Sequence, residues 1–118
     1  MFKEILESVQ FLHDQRPRVI HRDLKPSNIL LSENEQGGKF VKLCDFGLAI
    51  YHDYTDQTHT MNRVTEKYKA PELRAGRKYN HKCDIFSLSQ VASDVFGIDL
   101  TRLVLLTILI IIKFMLIY

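Results

Sequence analysis

Residues 21–28 read His-Arg-Asp-Leu-Lys-Pro-Ser-Asn, and three of them carry groups that could act together. Asp23 supplies a carboxylate that can orient a hydroxyl and accept its proton. Lys25 supplies an ammonium two residues on, able to offset negative charge that develops nearby. Asn28 offers an amide oxygen, a hard ligand of the kind small divalent cations take. Pro26 stiffens the stretch and so lowers the entropy lost when the loop is ordered. A further acid, Asp45, opens the triplet Asp45-Phe46-Gly47, 22 residues after Asp23 and directly behind the short apolar step Val41-Lys42-Leu43-Cys44. Two more stretches stand out downstream: Thr65-Glu66-Lys67-Tyr68-Lys69-Ala70-Pro71-Glu72, and Asp84-Ile85-Phe86-Ser87-Leu88.

In this order, from about residue 2 to residue 97, the stretches resemble part of a serine/threonine protein kinase catalytic domain. They match the catalytic loop, the metal-binding triplet, the end of the activation segment and the start of the central helix of the C-lobe. The resemblance implies transfer of a phosphoryl group from ATP, with Mg²⁺, to serine or threonine hydroxyls of a protein substrate. It implies Asp23 as base and Lys25 as charge stabiliser and phosphate contact. It implies Asn28 and Asp45 as the residues that hold Mg²⁺ and with it ATP. Thr65 would contact Asp23 and Lys25 and shape the pocket beside the acceptor. Phe46 would pack into the core and Gly47 would let the segment swing. Glu72 would pair with an arginine that this chain does not supply, which is costly wherever the glutamate is buried. Asp84 would accept hydrogen bonds from the backbone of the catalytic loop; a simple helix N-cap is an equally good and compatible role for it. Arg22 would meet a phosphorylated residue. The candidates are Thr60 first, then Thr58 and Thr55, with Tyr51 and Tyr54 behind them; an ordinary threonine-rich loop is the competing reading. Lys25 and the Thr65 pattern point to serine/threonine rather than tyrosine kinases. Val64, where many of these kinases have glycine, and the segment 89–100 depart from the pattern and leave the subfamily open.

The elements that must position these groups are partly legible. Phe2, Ile5, Leu6, Val9 and Leu12 fall on one helical face, so residues 2–13 are expected to form an amphipathic helix. Pro17 rules out its continuation. Ile29–Leu31 and Phe40–Leu43 read as short strands around a polar segment with paired glycines, which predicts a hairpin. Residues 48–69 lack a period and read as a long surface loop. Helical patterning returns from Asp84 to Phe96. The expected fold is therefore α+β: a kinase-like C-lobe fragment, mainly helical, with a short β-hairpin and a long activation loop.

Composition separates two parts. Residues 1–100 are mixed in character and form the expected partial kinase domain, whereas 101–118 form an apolar tail. From Leu103 to Tyr118 only Thr107 and Lys113 interrupt the apolar run. As helix it spans about 24 Å, short of a hydrocarbon core of roughly 30 Å. A membrane-anchoring helix, a helix buried on the C-lobe and a non-native terminus are the three readings it allows. Net charge is +2 with no basic run, which gives no field to favour nucleic acid. Cys44 and Cys83 lack metal-ligand spacing and read as two reduced thiols, with one bridge as the alternative. No apolar stretch near the N-terminus suits a secretory signal, so a cytoplasmic location is expected, with membrane association if the tail anchors. Only 20 residues precede His21, and no G-x-G-x-x-G stretch occurs. The chain taken alone is therefore expected to show negligible transfer, since positioning of the phosphates is most of this catalysis. The competing functional class is a non-catalytic, kinase-like interaction protein.

Overall fold

The computed structural model describes residues 1–52, 66–97 and 99. Thr65, the candidate phosphoacceptors Thr55, Thr58, Thr60 and Tyr54, and the tail 103–118 lie outside the described residues.

Helix α1 (Phe2–His13) forms where the amphipathic pattern places it. Ile5, Val9 and His13, four residues apart, make its buried stripe. Lys3 and Glu7 pair across one turn at 3.5 Å on the solvent side. Strand β1 (Arg18–Ile20) then leads into residues 21–25. Strands β2 (Ile29–Glu33) and β3 (Lys39–Leu43) form the expected antiparallel hairpin, with Ile29 opposite Leu43 and Glu33 opposite Lys39. Its turn is built by Asn34, whose side-chain oxygen accepts from the amides of Gln36 (3.1 Å) and Gly38 (2.7 Å). Gly37 supplies the positive φ of 77° that this turn needs.

Strand β4 (Ile50–His52) pairs antiparallel with β1, setting Ile50 against Ile20. This corrects the expectation of an unbroken loop from residue 48 to 69. A three-residue strand is too short to show a period, and its partner lies about thirty residues away in the chain. Within the same stretch Glu66–Tyr68 forms a 3-10 turn. Helix α2 (Pro71–Arg74) follows, with proline in its first turn, where the missing N–H costs nothing. Helix α3 (Lys82–Phe96) starts two residues before the expected Asp84. Gly97 ends it in a left-handed conformation, its N–H bonded to the Ser93 carbonyl.

Two apolar clusters hold these elements. Ile5, Val9, Leu24 and Leu88 join α1, the loop after β1 and α3, with Ile29, Val41 and Leu43 of the hairpin against them. Ile20, Ala70, Leu73, Tyr79 and Cys83 join β1, α2 and the start of α3. Each valine, leucine or isoleucine among them contributes about 1.5–3 kcal/mol on burial. Leu24 and Ile20 flank residues 21–23 and pin them from both sides. Both cysteines are free thiols. Among the described residues no helix is long and apolar enough to cross a membrane.

Candidate functional site

The backbone after β1 turns sharply, and Arg22 adopts a positive φ of 65°. For a side chain of this size that conformation costs roughly 1–2 kcal/mol. The compensation comes from Asp84 on α3. Its fully buried carboxylate accepts from the amides of His21 (2.9 Å) and Arg22 (2.8 Å) and lies 2.8 Å from His13 Nε2. A carboxylate only accepts, so His13 Nε2 carries the proton. Asp84 is the third helical residue, behind the cap at His81, so it is not the N-cap; its side chain serves the loop instead.

Arg22 is buried, and its guanidinium is committed locally. Nε donates to the Leu48 carbonyl (2.5 Å) and Nη1 to the Tyr79 hydroxyl (2.9 Å), with the group 5.8 Å from the Tyr79 ring centre. Burial raises the Tyr79 phenol above its ordinary value, and the nearby Arg22 charge partly counters this. The threonine candidates for the phosphorylated partner of Arg22 lie outside the described residues. Of the candidates, only Tyr51 is described; it is exposed on β4, opposite Val19.

Asp23 is 5% exposed, and its two oxygens have different surroundings. Oδ2 accepts from Asn28 Nδ2 (3.1 Å) and lies 3.2 Å from Lys25 Nζ. Oδ1 is buried and has no hydrogen-bond partner among the described residues. Asn28 Nδ2 also donates to the Asp23 carbonyl (2.8 Å), which leaves the amide oxygen as the group facing away from Asp23. Asp23, Lys25 and Asn28, singled out by spacing, are thus gathered in one place.

Asp45 reaches the same loop through the backbone. The Cys44 amide donates to the Asn28 carbonyl (3.0 Å), and His21 Nε2 donates to the Cys44 carbonyl (3.1 Å). The other ring nitrogen of His21 accepts from the Asp23 amide (3.3 Å), so one tautomer satisfies both bonds. Asp45 itself is exposed at a φ of 60°, with Oδ1 accepting from the Gly47 amide (3.3 Å). A Cβ on Gly47 would meet that oxygen at 3.2 Å, so glycine keeps the carboxylate in place. Phe46 corrects an expectation. Its ring leans on His21, tilted by 55° with the centres 4.8 Å apart, but stays half exposed, lining an open groove of about 560 Å³ with Phe11, Leu12, Phe40, Val41 and Leu43. Glu72 is half-buried and makes no ion pair with a described residue.

The donor set suits Mg²⁺ rather than a cation held wholly by protein. Among the described residues no three His, Cys, Asp or Glu side chains converge. Asn28 and Asp45 offer one amide and one carboxylate oxygen. Mg²⁺ is commonly held by one or two such oxygens, with water and phosphate completing the shell.

His13 and Tyr79 complete the site and were not singled out by sequence. His13 shows a signal in retrospect, as the third member of the Ile5–Val9 stripe. Tyr79 shows none, because it meets Arg22 only through the packing of α2 and α3.

Known proteins share this arrangement of motifs. The family model described as protein kinase domain matches residues 1–97. The human mitogen-activated protein kinase kinase kinase 7 is 45% identical over 83 residues, which is 69% of this chain and 12% of that protein. The serine/threonine-protein kinase fused of Drosophila melanogaster is 41% identical over 90 residues, 75% of this chain and 10% of that protein. The bovine eukaryotic translation initiation factor 2-alpha kinase 3 is 38% identical over 122 aligned positions, 91% of this chain and 10% of that protein. The chain therefore spans about one tenth of the length of these curated relatives. A match over 97 residues, carried by a loop whose Asp, Lys and Asn converge, settles the matter: this chain belongs to the protein kinase family.

Proposed function

We propose that the protein to which these residues belong transfers a phosphoryl group from Mg-ATP to serine or threonine hydroxyls of a protein substrate. The observation that carries the reading is the buried Oδ1 of Asp23, which has no hydrogen-bond partner among the described residues. An orphaned buried acceptor costs about 1–3 kcal/mol. Its partner oxygen is already bound to Lys25 and Asn28, so Oδ1 is the atom open to a hydroxyl proton. Asp23 thus orients the acceptor hydroxyl and takes its proton. Lys25 offsets charge on the transferred group. Mg-ATP supplies the phosphoryl group, and Asn28 and Asp45 are the residues that would hold its metal. Thr65 is assigned to the acceptor side. Serine/threonine preference rests on Lys25, on the Thr65 pattern and on the name of one relative, the serine/threonine-protein kinase fused. Residues 1–100 make up the catalytic part, in the cytoplasm, with 101–118 outside it.

A second reading draws on the exposed Phe11 and Phe46 of the groove. That face would dock a partner, and the chain would transfer nothing.

The test captures the endogenous polypeptide with an antibody to residues 52–62, measures its mass against 13.8 kDa, and assays transfer of labelled phosphate from ATP. Transfer by the captured protein, lost by about 10²-fold or more when Asp23→Asn is introduced, is expected. A folded wild-type protein that transfers nothing, or an Asp23→Asn variant that retains the rate, overturns the reading.

A further inference from the structure

A small apolar pocket of about 130 Å³ opens where the start of α1, strand β2 and the end of α3 meet. Met1 and Ile5 line it from the first, Ile29 and Leu31 from the second, Val91 and Val95 from the third. Its floor is closed, because Ile5 and Val91 are buried. Its rim is open: Met1 is 58% exposed, Leu31 60% and Val95 44%. The rim continues onto Phe96, which is exposed and meets Phe2 edge-on with ring centres 5.4 Å apart. No described charged residue lines the pocket. Exposed apolar surface gathered in this way marks a place where something docks.

The chain carries a segment of matching chemistry next to that rim. Gly97 ends α3 directly after Val95 and Phe96. Residues 98–102 then lead to the apolar run Leu103–Tyr118. Five residues span at most about 17 Å, so the run starts within reach of the pocket. Written as a helix, the run sets Val104, Ile108, Ile111 and Met115 at i, i+4, i+7 and i+11, in one stripe. Arg102 and Lys113, eleven residues and thus about three turns apart, fall together on the opposite side. An apolar face with one charged edge suits a helix that lies on a protein surface. A membrane span would carry Lys113 into hydrocarbon that the run is too short to cross.

We propose that residues 103–118 dock on this pocket of their own chain, with the stripe from Val104 to Met115 over Leu31 and Val95 and with Arg102 and Lys113 facing water. The short tether favours this occupant over a second copy. A segment held by a few residues sees its site at an effective concentration of about a millimolar, far above that of a partner copy in dilute solution. Docking shields the β-branched run Ile110–Ile112, which would otherwise invite aggregation. It also caps the cluster of Ile5, Val9, Leu24 and Leu88, whose Ile5 forms part of the pocket floor. None of this depends on phosphoryl transfer.

Solution measurements on the 118-residue chain test this. The wild type should sediment as a 13.8 kDa monomer, stay in the soluble fraction when mixed with phosphatidylcholine vesicles, and protect the amides of residues 108–115 from hydrogen exchange. The methyl groups of Val91 or Val95 should show nuclear Overhauser contacts to those of Ile108 or Ile111. Leu31→Glu and Val95→Glu, each at an exposed position, set a carboxylate against the docked stripe. Either should speed exchange at 108–115 by about tenfold or more and leave the His21 amide, bonded to Asp84, protected. Ile111→Glu should do the same from the tail side. If a variant loses protection at His21, the Overhauser contacts of the wild type decide alone. Their absence overturns the proposal, and so does exchange at 108–115 that neither pocket variant changes, or a wild type whose His21 amide is unprotected. Flotation with the vesicles would overturn it in favour of a membrane, and protection that falls away on dilution in favour of a second copy.

Discussion

Replacing Asp84 is the sharpest test of how this chain holds its catalytic loop. The carboxylate is completely buried and accepts from two backbone amides and one imidazole, all at 2.8–2.9 Å. Asp84→Ala leaves the His21 and Arg22 N–H groups and His13 Nε2–H without an acceptor. Each stranded donor costs about 1–3 kcal/mol. The positive φ at Arg22 loses the contact that offsets its strain, roughly 1 kcal/mol more. Relief of burying the charge returns part of this, so the net loss is about 4 kcal/mol. Domains of this size have about 5–15 kcal/mol in all. With a urea dependence of about 1–1.5 kcal/mol per molar, the unfolding midpoint falls by about 3 M. Asp84→Asn keeps one oxygen for one amide but turns an NH₂ toward the other, and about half the loss is expected. Urea unfolding followed by circular dichroism gives the midpoints, and hydrogen exchange at His21 and Arg22 gives the local effect. A shift below about 1 kcal/mol for Asp84→Ala, or amides that stay protected, would refute the assignment of Asp84 as the anchor of the loop.

Three further outcomes follow from the same geometry. His81 Nδ1 accepts from Arg18 Nη1 at 2.7 Å, so the folded state holds this ring neutral, and burial, then the Arg18, His13 and Lys82 charges, lower its pKa from 6.5 against a weaker pull from Asp84. Stability from His81 is therefore present above pH 6.5 and lost as pH falls toward the folded value; urea midpoints between pH 7.5 and 5 should slope less in His81→Gln, and equal slopes would contradict this. Burial pushes the Cys83 thiol far above its ordinary range, so in the folded chain at pH 8 maleimide should modify the half-buried Cys44 while Cys83 reacts only after unfolding, as read by peptide mass mapping. Gly97→Ala should destabilise by about 1 kcal/mol, because its φ is 62° while no described residue lies within 4 Å of an added Cβ; a cost well above that would point to contacts around the end of α3 beyond backbone strain.

The parts of the site that sequence reveals are those whose partners are near in the chain. Asp23, Lys25 and Asn28 fall within one loop, so their identities and spacing already imply that they meet. The hairpin of β2 and β3 is similarly local, and so is the stripe of α1. What sequence hides is the set of contacts that give these groups their posture. Arg22 also bonds Leu48 and Tyr79 through its guanidinium, 26 and 57 residues away, contacts that no local pattern shows. Strand β4 was hidden for the same reason, since three residues carry no period and β1 supplies the pairing from far upstream.

Asp84 shows the limit most clearly. Its position near a helix start favours a cap, and the same carboxylate, placed three residues past the cap, turns away from its own helix to serve the loop. The helix that carries it does the same again at Ser87 and Asp94. In each case a polar group on one face of α3 satisfies a strand or turn that could not satisfy itself: the strained amides after β1, the Tyr68 carbonyl, the paired Lys67 and Tyr68. The chemistry of this chain is therefore written in the loop, but its geometry is written in α3, at intervals of three and four that become legible only once the loop and the turn are known to lie along the same face.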